Sequence, residues 1–165
     1  MEFTHIKDGK PQQVDISNKP TSLRHAVAEG CIDLRAKTVE AIKQNAVAKG
    51  DVLNTATIAA VLAAKKTSEI IPLCHPIQLT NIQMDYAILE STIKATCEVK
   101  SESKTGVEME ALTGVSIALL TIWDMVKSIE KDSTGNYPVT KLREIHVLEK
   151  SKTEMSSLKL DSLRI

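Results

Sequence analysis

The stretch Ile77-Gln-Leu-Thr-Asn-Ile-Gln-Met-Asp-Tyr-Ala-Ile-Leu-Glu-Ser-Thr-Ile-Lys-Ala-Thr-Cys-Glu-Val-Lys-Ser-Glu102 alternates apolar and polar residues in two runs. Ile82, Met84, Tyr86 and Ile88 share one face of the first run, and Ile93, Ala95, Cys97 and Val99 share one face of the second. A period of two is that of a half-buried strand. The runs, near 77–89 and 92–102, therefore read as a β-hairpin joined through Glu90-Ser91.

Upstream, residues 70–76 hold two prolines that exclude a helix. Before them an Ala-rich helix runs to Lys65 or Lys66, with Asn54 or Thr55 as its cap. Lys49-Gly50-Asp51 separates it from an earlier helix within 33–48, whose apolar residues are Leu34, Val39, Ile42 and Val47. A strand spans Leu23 to Ile32. Downstream of the hairpin come a long helix near 107–129, a loop with Gly135, Asn136 and Pro138, and a last strand near 142–149. Helices interleaved with neighbouring antiparallel strands predict an α+β fold with helices on one face of a sheet.

The 165 residues fit a single domain, 1–165, with a partly mobile arm over 1–20 and a disordered tail over 154–165. Twenty-one basic residues balance 21 acidic ones, so no global field draws in nucleic acid or a membrane surface. Aromatics at 2% leave no stacking platform for single strands. The first 18 residues carry no apolar run, and no segment approaches the roughly 20 apolar residues of a membrane span. Three separated cysteines, Cys31, Cys74 and Cys97, form no CxxC pair, which suits a reducing cytosol. A cytoplasmic location is expected.

The helix from Gly106 to Lys127 carries an apolar stripe of Leu112, Val115, Leu119, Ile122, Val126 and Ile129. Its other side holds Gly114, Ala118, Thr121 and Met125 in place of polar residues. A helix apolar or small on both sides is buried between two partners. Its charges after Val107 are Glu108, Glu110, Asp124 and Lys127. Glu108 and Glu110 suit a helix N-terminus and Lys127 a C-terminus, whereas Asp124 is electrostatically misplaced near that C-terminus. Asp124 and Lys127, three apart, can pair; a functional and a purely structural role weigh equally on these residues alone. Glu110 and Lys127 are about 25 Å apart along a straight helix. One small ligand can use both ends only if they come from different copies of the chain.

His75 sits between Pro72 and Pro76, and histidine is the side-chain type best suited to acid–base work near neutrality; a structural turn histidine is the commoner outcome. Cys74 and His75, adjacent in an extended segment, point apart, which discounts a thiol enzyme. His5, His25, His75 and His146 have no metal-ligand spacing, and neither a phosphate loop nor a dinucleotide fingerprint is present. No metal and no cofactor are expected, and any triphosphate must be held by side-chain cations.

Lys49-Gly-Asp51, Ala63-Ala-Lys-Lys-Thr67, Ile70-Ile-Pro-Leu-Cys-His-Pro76, Lys104-Thr-Gly-Val-Glu-Met-Glu-Ala-Leu-Thr113 and Leu120-Thr-Ile-Trp-Asp-Met-Val-Lys127 resemble the cyclic pyranopterin monophosphate synthase (MoaC) family of molybdenum-cofactor biosynthesis. The resemblance runs from about Val14 to Lys150. It implies a ferredoxin-like fold, a hexamer built as a trimer of dimers, and a site between subunits. It also implies a lyase that rearranges a cyclised dihydro-GTP triphosphate into a pterin bearing a cyclic phosphate, with release of pyrophosphate. By resemblance Asp124 is the principal catalytic residue and Lys49 and Lys127 are catalytic lysines. A lysine near other cations, or poorly solvated, has a lowered pKa and can serve as a base. Arg24, Lys65 and Lys66 are implied for the triphosphate, and Leu73, Cys74, His75, Met109 and Glu110 for the substrate, with Glu108 positioning a neighbour or the base.

One departure stands out. Many relatives end in a Gly-rich Lys-Ser-Gly-Gly-Lys-Ser-Gly segment, where this chain has Glu149-Lys-Ser-Lys-Thr153; Lys150 stands in the family lysine's place. The pattern of elements alone fits an oligomeric anion-sensing domain equally well. Asp124 separates the readings, because a sensor of triphosphate needs cations and not a carboxylate.

Overall fold

The computed structural model describes residues 6–7 and 9–154. Short strands β1 (Ile6–Lys7) and β2 (Lys10–Pro11) pair with each other. The main unit follows as β3 (Ser22–Asp33), α1 (Ala36–Lys43), α2 (Val52–Lys65), α3 (Thr67–Ile70), β4 (Leu79–Ile88), β5 (Thr92–Ser103), α4 (Glu108–Glu130) and β6 (Lys141–Glu154). The four long strands form one antiparallel sheet in the order β4-β5-β3-β6. This βαββαβ succession, with the first strand beside the third and the last, is the ferredoxin-like arrangement.

The hairpin register sets the core face. Ile88 lies opposite Ile93, Tyr86 opposite Ala95, Met84 opposite Cys97 and Ile82 opposite Val99. Across the next seam Cys97 faces Ala28 and Val99 faces Ala26. Small residues on β3 bring α4 close to the sheet: a Cβ on Gly30 would lie 2.8 Å from Ile145 and 2.9 Å from Leu119. A Cβ on Gly114 would lie 2.8 Å from Cys97 Sγ and 3.7 Å from the Ala60 carbonyl of α2. Glycine is needed at both contacts because interiors at this density leave no room for another methyl.

Helix α4 is thus buried between the sheet and α2, with Val115, Ala118, Leu119, Ile122 and Val126 fully enclosed. By length and composition it could cross a membrane, which corrects the expectation that no segment approaches such a span. Its apolarity serves the core. Of the expected stripe, Ile129 is exposed and Leu112 half-buried.

Several boundaries differ from expectation: the first helix covers only Ala36–Lys43 of 33–48, and the short α3 reaches Ile70, the first residue of the run read as non-helical. The cap of α2 is Asp51, whose carboxylate accepts the Asn54 backbone N–H at 3.0 Å. Thr55 instead donates its hydroxyl to the Asp51 carbonyl at 2.6 Å, inside the first turn. Strand β6 runs past 149, because Lys150 to Glu154 pair with Ala26 to Ser22 although they lack apolar alternation. Of the expected tail, Glu154 closes β6, and 155–165 lie outside the described residues, as do 1–5 and 8 of the expected arm.

The end of α4 is fastened by a buried carboxylate. Glu130 has no exposure and accepts from the Arg35 N–H at 3.2 Å, from Thr38 Oγ1, and from Thr140 Oγ1 at 2.5 Å. The starts of α1 and β6 are thereby tied to the C-terminus of α4. A buried charge is tolerated where every lone pair finds a donor.

Candidate active site

Helix α2 runs antiparallel to α4: Lys49, just before α2, meets Asp124 near the end of α4, and Ala60 meets Gly114. Groups at the two ends of α4 therefore belong to two separate clusters.

At the C-terminal end Asp124 lies between two ammonium groups. Lys49 Nζ donates to Asp124 Oδ2 at 3.0 Å and to the Asp124 carbonyl at 2.6 Å, and Lys127 Nζ lies 2.6 Å from Asp124 Oδ1. Hydrogen bonds from Lys127 and Lys49, with their charges, hold the Asp124 carboxyl below its ordinary value. The same bond and the Asp124 charge raise Lys127 above its own. A lysine base needs the opposite shift. In this chain Lys127 is a firmly protonated cation, equipped to donate a proton or to bind phosphate. Tyr137 stands close enough to influence Lys127, and its ring packs edge-on against Trp123 with centroids 5.5 Å apart.

At the N-terminal end lies a cavity of about 360 Å³. Leu73, Cys74 and His75 line it from the Pro-flanked turn, and Glu108, Met109 and Glu110 from the first turn of α4. Val14, Ile16 and Lys19 form a further wall, with Ile77, Thr105 and Gly106 completing it. A Cβ on Gly106 would meet Glu108 Oε2, so the Glu108 carboxyl would have to shift to admit one.

Glu110 is 3% exposed, and its Oε2 has no hydrogen-bond partner. Burial pushes its carboxyl up to about 7, its own backbone N–H opposing and the Glu108 charge adding to the shift. Glu108 behaves differently. Burial pushes it up as well, but Lys150 Nζ at 2.7 Å, its own amide and the Arg24 charge outweigh that, leaving it lowered. Two carboxyls two residues apart thus divide into one held ionised and one that exchanges its proton near neutrality.

Burial, followed by the Glu110 and Glu108 charges, raises the Cys74 thiol, so a thiolate nucleophile is disfavoured. His75 Nε2–H donates to the Val14 carbonyl at 2.7 Å.

The implied site residues are therefore distributed as follows. Lys49, Asp124 and Lys127 come together, and Leu73, Cys74, His75, Glu108, Met109 and Glu110 share one cavity. Arg24 flanks that cavity: Nη2 donates to the Lys104 carbonyl at 3.3 Å, its charge reaches Glu108, and its buried Nε has no partner. Lys65 borders a separate shallow cleft against Leu79–Ile82, and Lys66 is exposed where α2 passes into α3. Neither lines the main cavity. Glu110 and Asp124 are fourteen residues apart in one helix, about 21 Å. Among the described residues no cluster of three or more His, Cys, Asp or Glu could hold a metal ion.

Sequence reasoning missed Val14, Ile16, Lys19 and Tyr137. The first three lie in a polar stretch without periodicity, and their contacts reach residues some sixty positions away. Nothing local marks them.

The MoaC family model matches residues 13–153. A protein of Archaeoglobus fulgidus named probable cyclic pyranopterin monophosphate synthase is 59% identical over 152 residues, covering 92% of this chain and 97% of its own length. Proteins of the same name from Methanoregula boonei and Methanococcoides burtonii are 58% and 55% identical, each covering at least 92% of this chain and 98% of their own length. The matched span holds both clusters and every strand of the main sheet except the last residue of β6, and on this agreement the chain belongs to the MoaC family.

Proposed function

We propose that this chain is a cyclic pyranopterin monophosphate synthase, a lyase acting early in molybdenum-cofactor biosynthesis in the cytoplasm. Its substrate is the cyclised dihydro-GTP triphosphate, rearranged to a pterin with a cyclic phosphate as pyrophosphate leaves. The observation that carries this reading is Asp124 held between the Lys49 and Lys127 ammonium groups. A simple anion-binding module would gain nothing from that carboxylate.

The chemistry divides between the clusters. Opening the purine-derived ring and closing the pterin call for proton transfers, and Glu110, exchanging near pH 7, supplies a carboxyl fit to give and take them. Forming the cyclic phosphate requires a sugar hydroxyl oxygen to bond to the α-phosphorus as the bond to the β-phosphate oxygen breaks. The hydroxyl proton passes to a base, and pyrophosphate departs with the electron pair. Asp124 is the acceptor in reach of a group held by Lys49 and Lys127, whose charges stabilise the phosphates. Arg24, with a planar fork suited to phosphate, adds to the triphosphate's hold, and Lys65 and Lys66, which line neither cluster in one copy, join it only from a neighbouring copy.

Because the two clusters lie about 21 Å apart in one copy, one small substrate meets both only where a second copy brings its opposite end. The functional unit in this reading is a homo-oligomer, a hexamer built as a trimer of dimers. The test is to supply purified protein with the cyclised GTP intermediate. One pyrophosphate per cyclic pyranopterin monophosphate is expected, and no pyrophosphate release would refute the reading.

A further inference from the structure

The cavity wall formed by residues 13–19 lies outside the ferredoxin-like unit, and side-chain bonds to main-chain groups hold it there. Gln13 Nε2 donates to the Cys74 carbonyl at 2.9 Å, and His75 Nε2–H to the Val14 carbonyl at 2.7 Å. Lys104 Nζ donates to the Ser17 carbonyl at 2.6 Å. Within the segment, Asp15 Oδ1 accepts the Ser17 N–H at 2.8 Å, and the Lys19 N–H bonds the Ile16 carbonyl at 3.1 Å. These bonds bring Lys19 to the border of the cavity.

Of the other cations nearby, Lys150 is paired with Glu108 and Lys104 donates to the Ser17 carbonyl, while Arg24 donates one Nη2 hydrogen bond to the Lys104 carbonyl and keeps a buried Nε without a partner. Lys19 has no ion-pair partner among the described residues and is exposed. The acids Glu108 and Glu110 lie on the α4 side, where a ring edge rich in N–H groups would find acceptors. A phosphate chain on the same molecule must turn away from those carboxyls, towards the wall that carries Lys19.

We propose that residues 13–19 form a strap latched by His75 and Gln13, and that Lys19 on it is a further substrate-binding residue for the phosphate end of the ligand. This rests on the functional reading above for the identity of the ligand. His75 in this account is a positioning residue as well as part of the wall: its Nε2–H fixes the strap, and the strap fixes Lys19.

The test uses the full chain and three variants, Lys19→Ala, Lys19→Arg and Gln13→Ala. With the cyclised GTP intermediate, Lys19→Ala raises KM about tenfold, the size of one charge-assisted contact, while kcat stays within about twofold. Lys19→Arg restores KM to within about threefold of wild type, and Gln13→Ala speeds hydrogen exchange of the amides of residues 14–19. GTP binding measured by calorimetry provides a second arm that needs no turnover, and Lys19→Ala weakens it about tenfold as well. Wild-type KM and wild-type GTP affinity in Lys19→Ala would overturn the role of Lys19. Unchanged exchange in Gln13→Ala would overturn the latch. A wild-type protein that binds GTP through Lys19 yet releases no pyrophosphate would refute the functional reading and leave the strap standing.

Discussion

Lys49 Nζ and Asp124 Oδ2 stand 3.0 Å apart although 75 residues separate them in the chain. The contact follows from the antiparallel packing of α2 on α4, which delivers the residue two before the Asp51 cap to the last turns of α4. With Lys127 on the other carboxylate oxygen, Asp124 is an ionised group whose two neighbours are cations. All three side chains are well exposed, so the cluster contributes little to stability and is free to serve chemistry.

Replacing Asp124 with Asn, or Lys127 with Ala, is therefore expected to leave the thermal midpoint within a few degrees of wild type and to lower kcat for pyrophosphate release about 100-fold or more. Melting curves and a pyrophosphate assay on the same preparations check this. Near wild-type turnover in either variant would remove Asp124 or Lys127 from the reaction.

Glu110 predicts a pH dependence of stability with a definite sign. Its folded carboxyl titrates at about 7 against an ordinary value of 4.5, so between those pH values the folded chain holds more proton than the unfolded chain. Stability then falls as pH rises from 4.5 to 7, by at most about 3 kcal/mol from this group. In Glu110→Gln that loss is absent, so urea unfolding at pH 5 and pH 8 shows the variant gaining on wild type as pH rises. Parallel curves would show that the carboxyl is not held neutral by its surroundings.

Glu130 is expected to matter for the fold and not for the proton chemistry. Glu130→Gln turns an amide donor towards donors from Arg35, Thr38 and Thr140, and leaves at least one buried group unpaired. A loss of about 2–4 kcal/mol in urea unfolding is expected, with KM close to wild type at a temperature where the variant is folded. A variant as stable as wild type would mean that water replaces the lost bonds.

Much of this architecture is legible in the residues themselves. Period-two alternation in 77–102 predicts the hairpin and its core face, and the register pairs Met84 with Cys97 and Ile82 with Val99 on that face. Small residues at Gly114 and Ala118 announce the close packing of α4, which the Ala60 carbonyl and Cys97 provide. What escapes is set by distant partners. The end of β6 depends on a backbone ladder to Ser22–Ala26 and not on the side chains of Lys150 to Glu154. The Asp124–Lys127 pair is visible from its three-residue spacing, whereas Lys49 joins it only through helix packing and enters the reading by family resemblance. The Gln13 and His75 bonds that make residues 13–19 a cavity wall leave no periodic trace.

In the proposed reading, where one substrate uses both the Glu110 cavity and the Asp124 cluster, their separation in one helix means that the site draws on two copies. The direct test is to mix Glu110→Ala chains with Lys127→Ala chains, each inactive alone, under conditions that exchange subunits. Pyrophosphate release from the cyclised GTP intermediate is expected to return in the mixture, because some sites then combine an intact cavity with an intact Lys49–Asp124–Lys127 cluster. Verified mixed oligomers without any recovered activity would contradict a site shared between copies.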